Sequence, residues 1–270
     1  PTLLVYFRNN NGLEGYWDYT TNSAGRAGTG YVNNYTGNLV WVRSDLGFGG
    51  NRMPVSINHI YNTNDSLNNT FGMGYGWRTN FNQRVYVWSA NSNYYVWEDS
   101  DGTKHYFRYN SGTGTYDDED GLELTLTTTG SGEKKYCITD KNGNKSYFDT
   151  YGRLTSQENN QAVKSSINVF YTTDSGFLID YIQDGVNRYY NFDYSNGLLS
   201  RISFYGTSSN ELSYVSFGYS NSQLTTASYP DGESVSYSYT TNHLLSSATD
   251  VDGYMLAYTY TTTAAGRASR

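Results

Sequence analysis

A unit of about 22 residues recurs through the second half of the chain, and it limits the possible folds more than any other feature. Each copy carries closely spaced aromatic residues, a polar turn and a leucine. The copies run from Tyr147-Phe148-Asp149 to Gly152-Arg153-Leu154, from Phe170-Tyr171 to Gly176-Phe177-Leu178, and from Tyr190-Asn191-Phe192-Asp193 to Gly197-Leu198-Leu199. They continue through Val215-Ser216-Phe217 to Leu224, Tyr237-Ser238-Tyr239 to Leu244, and Tyr258-Thr259-Tyr260. With the second aromatic as register, the copies fall at 148, 171, 192, 217, 239 and 260, at intervals of 23, 21, 25, 22 and 21. Aromatic-x-aromatic places two rings on one face of a strand. The polar turn reverses the chain, and the leucine opens the return strand. Asn142-Gly143, Asp184-Gly185, Asp231-Gly232 and Asp252-Gly253 then supply the positive φ of a tight two-residue turn. Each unit is thus a hairpin too small to bury its own face. Successive hairpins must stack edge to edge and cover one another's open edges.

The upstream sequence is also strand-like. Leu3–Phe7 is a short apolar β segment, and residues 13–36, rich in Gly, Thr and Asn, read as an extended linker. Leu39-Val40-Trp41-Val42 and Val55–Tyr61 follow, the latter with Val55, Ile57, His59 and Tyr61 on one face and Ser56, Asn58 and Ile60 on the other. Arg84–Trp88 and Tyr94–Trp97 form a hairpin. No window shows a convincing helical period. The expected fold is all-β: a spiral or shell fragment of stacked hairpins, with an N-terminal β segment and linker (1–36), a second β region (37–130) and the repeats (131–270). The chain reads as a piece of a longer polypeptide.

Composition removes several classes. The 46 aromatic residues, 30 of them Tyr, argue against disorder, and a single cysteine excludes a disulfide scaffold. A net charge of −7 argues against nucleic acid or an anionic membrane as partner, and no apolar run is long enough for a membrane helix. His59, His105 and His243 stand isolated in sequence, without metal-ligand spacing, so no catalytic, cofactor or metal residue is assigned. Cys137 reads as a small buried residue. The acidic run Asp117-Asp118-Glu119-Asp120-Gly121 is favoured as a solvated turn over a Ca²⁺ site. Gly72-Met73-Gly74-Tyr75-Gly76-Trp77 reads as a turn backed by aromatics, since no helix follows to form a phosphate site.

Tyr147-Phe148-Asp149-Thr150-Tyr151-Gly152-Arg153-Leu154 resembles the repeat of the Rhs/YD-repeat family, roughly Tyr-x-Tyr-Asp-x-x-Gly-Arg-Leu. Other copies are degenerate: Asp recurs directly after the aromatic at Asp193, while Thr172, Gly218 and Thr240 replace it elsewhere. Thr36-Gly37-Asn38-Leu39, Asp45, Arg52-Met53-Pro54, Ile60-Tyr61-Asn62 and Phe71–Trp77 with Gly74, Gly76 and Trp77 are similar to the segment preceding such repeats, and Asp101–Phe107 to the family's first hairpin. The resemblance implies a hollow, tyrosine-rich β-shell, as in Rhs, Tc-toxin and teneurin proteins, whose bacterial members commonly enclose or display a C-terminal toxin. It implies a non-enzymatic structural module, secreted or wall-associated, whose partners are the remainder of its own polypeptide and a cell-wall or cell-surface glycan. The alternative is a surface adhesin.

Overall fold

The computed structural model describes residues 11–50, 52–208, 210–261 and 268–269. The expected strand Leu3–Phe7 lies outside them. Apart from three short 3-10 turns, the regular structure of the described residues is β-strand throughout, in agreement with the alternating sequence.

The first sheet is antiparallel, in the order β1 (Tyr19–Ser23), β2 (Thr29–Asn33), β3 (Leu39–Gly47), β4 (Ser56–Asn62) and β5 (Trp77–Thr79). Residues 13–36 are therefore not the extended linker expected: they hold a hairpin in register from Tyr19↔Asn33 to Ser23↔Thr29. Its tip buries Ala24 and Ala27 completely, and the Ala27 carbonyl accepts a hydrogen bond from Trp41 Nε1 at 2.8 Å. Small residues are required there, because a Cβ on Gly30 would stand 2.8 Å from the Trp41 ring.

The second sheet is a ribbon of seventeen strands. It begins with β6 (Arg84–Val87), β7 (Tyr94–Glu98), β8 (Lys104–Asn110), β9 (Thr115–Asp118) and β10 (Thr125–Thr127). It continues with β11 (Tyr136–Thr139), β12 (Lys145–Phe148), β13 (Leu154–Glu158), β14 (Ser166–Tyr171), β15 (Ile179–Gln183) and β16 (Tyr189–Ser195). The rest are β17 (Leu198–Tyr205), β18 (Glu211–Ser220), β19 (Gln223–Ser228), β20 (Ser234–Tyr239), β21 (Leu245–Thr249) and β22 (Met255–Ala257). Each strand pairs antiparallel with its sequence neighbours. A short β23 (Thr259–Tyr260) pairs with β24 (Ala268–Ser269). The boundary between the sheets falls between β5 and β6, not near residue 130, because β6–β10 extend the same ladder as the repeats.

The ribbon closes on itself. Val85 N donates to Gly152 O at 2.7 Å and Leu154 N to Gln83 O at 3.2 Å, with a bridge between Arg84 and Arg153. This seam joins β6 to the hairpin tip between β12 and β13, after which the ribbon runs on to β22. The wall therefore winds past its own beginning, as expected for a spiral.

Five hairpins explain the winding. In each, one residue of the return strand is skipped in the pairing: Thr155, Asp180, Ser200, Thr225 and Ser246. Such bulges bend a strand and add right-handed twist. The hydroxyls of Thr155, Ser200 and Thr225 donate across the hairpin to the carbonyls of Tyr147, Asp193 and Gly218. Immediately opposite each bulge stand Phe148, Tyr171, Tyr194, Tyr219 and Tyr239, the structural register of the repeat. Phe192 and Phe217, taken as register residues from the sequence, lie two positions earlier on the same inner face. The buried leucine positions are Leu154, Ile179, Leu199, Leu224 and Leu245, so Leu178 and Leu244 each precede the true position by one residue.

The four expected two-residue turns are three-residue loops closed by Asp140/Asn144, Asp184/Arg188, Tyr229/Glu233 and Asp250/Tyr254, and the same loop closes at Asp149/Arg153 and Thr240/Leu244. Their left-handed residue is Gly143, Gly152, Asn187, Gly232, His243 or Gly253, as in a type I turn extended by an αL residue. At Asp184-Gly185 the left-handed position is thus Asn187, not the glycine. True two-residue turns with both φ positive occur at Asn196-Gly197 and Asn221-Ser222.

Candidate functional site

The repeat motif builds a clamp. Asp149 Oδ1 accepts from Tyr151 N at 2.9 Å and Arg153 N at 3.0 Å, which holds the loop shut. Oδ2 takes Arg153 Nε at 2.7 Å and Nη2 at 2.6 Å. Arg153 Nη1 then reaches the next hairpin and donates to Thr173 O at 2.8 Å and Gly176 O at 2.6 Å. A planar fork with several donors is what these four bonds require. The same clamp occurs at Asp184-x-x-x-Arg188, where Arg188 donates to Gly49 O at 3.0 Å and Phe48 O at 3.1 Å. The two clamps share the spacing Asp-x-x-x-Arg in the sequence. Asp193, matched to the family aspartate by sequence, instead lies exposed on β16, ahead of the turn.

A second device links the copies. Tyr171, Tyr194, Tyr239 and Tyr260 each donate a hydroxyl to the carbonyl of the buried aliphatic residue one repeat earlier, at Leu154, Ile179, Leu224 and Leu245, over 2.6–2.9 Å. Burial raises these hydroxyls above the ordinary phenol pKa. Tyr219 occupies the same place, but its buried hydroxyl has no hydrogen-bond partner.

The inner face of β16–β22 is covered by the first sheet. Tyr237 OH donates to Ala27 O at 2.8 Å, Tyr190 OH to Val55 O at 3.3 Å and Tyr61 OH to His243 O at 2.9 Å. Phe48 stacks on Phe204 at 3.9 Å, and Trp41 meets Tyr258 edge-on. The hollow interior implied by the family resemblance is therefore filled in this part of the wall. The glycine-rich segment lies along the β16–β17, β18–β19 and β20–β21 turns. Gly72 O accepts from Leu199 N at 2.7 Å, Tyr75 N donates to Ser222 O at 3.0 Å, and Tyr75 stacks on His243 at 4.2 Å. A Cβ on Gly74 would meet Ser222 O at 2.8 Å. The upstream motif residues Asn38 and Asn62 form a buried amide pair at 3.1 Å next to Leu39, while Gly37 turns β2 into β3 and Pro54 is exposed. Trp77 Nε1 donates to Tyr239 OH at 2.7 Å.

Two of the three histidines, isolated in sequence, are not isolated in space. His59 and Arg43 share the buried carboxylate of Asp45. Burial holds His59 below its ordinary pKa against the pull of Asp45, so the ring stays neutral. Arg78 and Arg84 both bind Glu98 at 2.8 Å, joining β5 to β6 and β7. Removing one partner of such a buried pair leaves the other charge buried and uncompensated, which costs more than forming the pair gains. The second of the two, His105, faces three carboxylates: Nε2 lies 3.4 Å from Glu14 Oε1 and 3.5 Å from Asp99 Oδ2, and Nδ1 lies 3.3 Å from Asp120 Oδ2. Burial opposes the charged ring, yet these carboxylates push it up to about 10. Burial, then the charge on Asp99, raises Asp101 to about 7. Glu14, Asp99 and His105 each offer one ligand atom within 4.8 Å of the others. The acidic run is a turn whose Asp118 carboxylate takes the N–H groups of Asp120, Leu122 and Leu124. Cys137 is half-buried rather than buried.

The known proteins to which the chain is similar are distant from it in sequence. A family described as "Domain of unknown function (DUF6531)" matches residues 29–107. The chain is 28% identical over 141 residues to "tRNA nuclease WapA" of Bacillus subtilis (strain 168), over 52% of this chain and 5% of that protein. The figures are the same for "tRNA(Glu)-specific nuclease WapA" of Bacillus subtilis subsp. natto (strain BEST195). The chain thus spans a small fraction of the curated relatives it matches. Among solved structures it is similar to a chain in "Crystal Structure of TcdB2-TccC3-Cdc42", with a TM-score of 0.37 and 13% identity, over 88% of this chain and 14% of that one.

Proposed function

We propose that this chain is part of the β-shell of an Rhs/YD-repeat protein: a non-enzymatic wall module of a polypeptide that encloses or displays a C-terminal toxin in bacterial competition, secreted or held at the cell wall. The observation that supports this most is the repeat-to-repeat linkage, in which four copies are each tied to their predecessor by a tyrosine hydroxyl and the wall winds past its own seam. In this reading the first sheet is a plug beneath strands β16–β22, and cargo is held elsewhere in the polypeptide. The partners are then the other domains of the same polypeptide; no described helix is long and apolar enough to cross a membrane.

Limited proteolysis tests the shell. A cooperative wall resists cleavage throughout residues 100–260, and the loops closed by Asp149/Arg153 and Asp184/Arg188 survive longest. Early cutting at every Asp-Gly loop would show that the hairpins are independent and would remove the reading.

One surface favours adhesion as a second reading. Phe170 stacks on Tyr181 at 4.2 Å, and Tyr181, Tyr189 and Tyr205 line an open outer groove with Asn191. Rings flanked by amides suit a sugar face. A glycan array with the parent chain and Tyr181→Ala decides this: saturable binding lost in the variant supports it, and a flat array removes it.

A further inference from the structure

We propose that His105 Nε2, Glu14 Oε1 and Asp99 Oδ2 bind one divalent transition-metal cation of the zinc class, clasping the segment ahead of β1 to the β7–β8 hairpin. The separations discriminate between a proton and a metal. A hydrogen bond between charged N–H and carboxylate oxygen spans about 2.7–2.9 Å. The Nε2 distances of 3.4 and 3.5 Å are too long for one shared proton to satisfy either acceptor. Ligand atoms about 2.0–2.2 Å from a tetrahedral zinc stand roughly 3.3–3.5 Å from one another, which these distances match.

The other ring nitrogen gives independent support. His105 is 1% exposed, and its Nδ1 has no hydrogen bond of good geometry although Asp120 Oδ2 lies 3.3 Å away. Metal-bound imidazoles direct their second nitrogen to a carboxylate in this manner, which orients the ring. Charge points the same way: Glu14, Asp99 and Asp120 converge on one imidazole, with the carboxylate of Asp101 beside Asp99. Arg78, which also faces Asp99, is already engaged by Asp65 and Glu98. A mixed nitrogen and oxygen donor set of three suits zinc better than calcium, which takes about six to eight oxygens. The ligands come from residue 14, from the turn after β7 and from β8, so the bound ion would pin the entry to the plug onto the wall.

The test uses the 270-residue chain stripped with a chelator and titrated separately with Zn²⁺, Co²⁺ and Ca²⁺. The expected result is one Zn²⁺ per chain, a raised thermal midpoint and a tetrahedral Co²⁺ absorption spectrum, with no response to Ca²⁺. Glu14→Gln and Asp99→Asn each lower the Zn²⁺ affinity at least tenfold, and Asp120→Asn lowers it about 10–100-fold. Without metal, Glu14→Gln and Asp99→Asn each remove one of the carboxylates that face the buried ring and melt at or below the parent, so the loss of zinc affinity is read against each variant's own metal-free midpoint. His243→Asn leaves zinc binding unchanged. Equal zinc binding by the parent and both ligand variants, a six-coordinate Co²⁺ spectrum, or no saturable binding overturns the proposal.

Discussion

Replacing Tyr239 by phenylalanine tests whether hydroxyls hold successive hairpins together, because the ring and its packing stay while one oxygen leaves. That oxygen accepts from Trp77 Nε1 at 2.7 Å and donates to Leu224 O at 2.6 Å. Burial raises its pKa well above the usual phenol value, so it is desolvated. Each lost hydrogen bond costs about 0.5–1.5 kcal/mol, and an indole N–H left buried without a partner adds up to about 1–3 kcal/mol. The two lost bonds and the stranded N–H together amount to about 2–6 kcal/mol for Tyr239→Phe. Tyr260→Phe breaks one bond, to Leu245 O, and should cost about 1 kcal/mol. Tyr219→Phe removes a buried hydroxyl that has no partner, and should be neutral or stabilising. Urea unfolding followed by circular dichroism reads all three as midpoint shifts at constant slope. If Tyr219→Phe destabilises as much as Tyr239→Phe, or Tyr239→Phe costs under about 0.5 kcal/mol, the hydroxyl ladder is not what links the repeats.

Further outcomes are expected. Arg153→Lys should destabilise by about 2–4 kcal/mol in the same assay, because an ammonium cannot hold Asp149 and two carbonyls of the next hairpin at once; a loss below about 0.5 kcal/mol contradicts the clamp. Gly152→Ala places a Cβ 2.0 Å from Val85 O, whereas Gly232→Ala, also at positive φ, meets open space. The latter should cost about 1–2 kcal/mol and the former distinctly more, with faster amide exchange at Val85 and Leu154; equal costs would mean that the seam carries no load. Tyr190→Ala or Phe192→Ala should cost about 3–5 kcal/mol, since both rings are buried. Alkaline stability follows from the tyrosines. Burial raises Tyr190 to about 12, so the folded chain keeps a proton that the unfolded chain releases near its ordinary value. This stability is fully present below pH ~10 and is lost as pH rises through the folded value, so tyrosinate absorbance should appear together with unfolding. A gradual absorbance rise with intact circular dichroism would refute it.

The sequence alone determined the strand class, the hairpin period and the shared buried face of Val55, Ile57, His59 and Tyr61. These follow from alternation and turn chemistry, which act over a few neighbouring residues. The Arg84–Trp88 and Tyr94–Trp97 hairpin forms as read. Register was less legible. Phe192 and Leu244 look like motif residues, but which aromatic stands against the turn is set by a bulge at Ser200 or Ser246, and many residue types can be skipped there. The hairpin in residues 13–36 was hidden because Gly and Ala are weak strand formers; they are selected by the closeness of Trp41, a contact made only after folding. Tertiary structure decided three things: that the first sheet fills the wall, that Arg188 reaches back to Phe48 and Gly49, and that Glu14 stands beside His105. Each joins residues far apart along the chain, and such distances are fixed by how the ribbon winds, which no local pattern encodes.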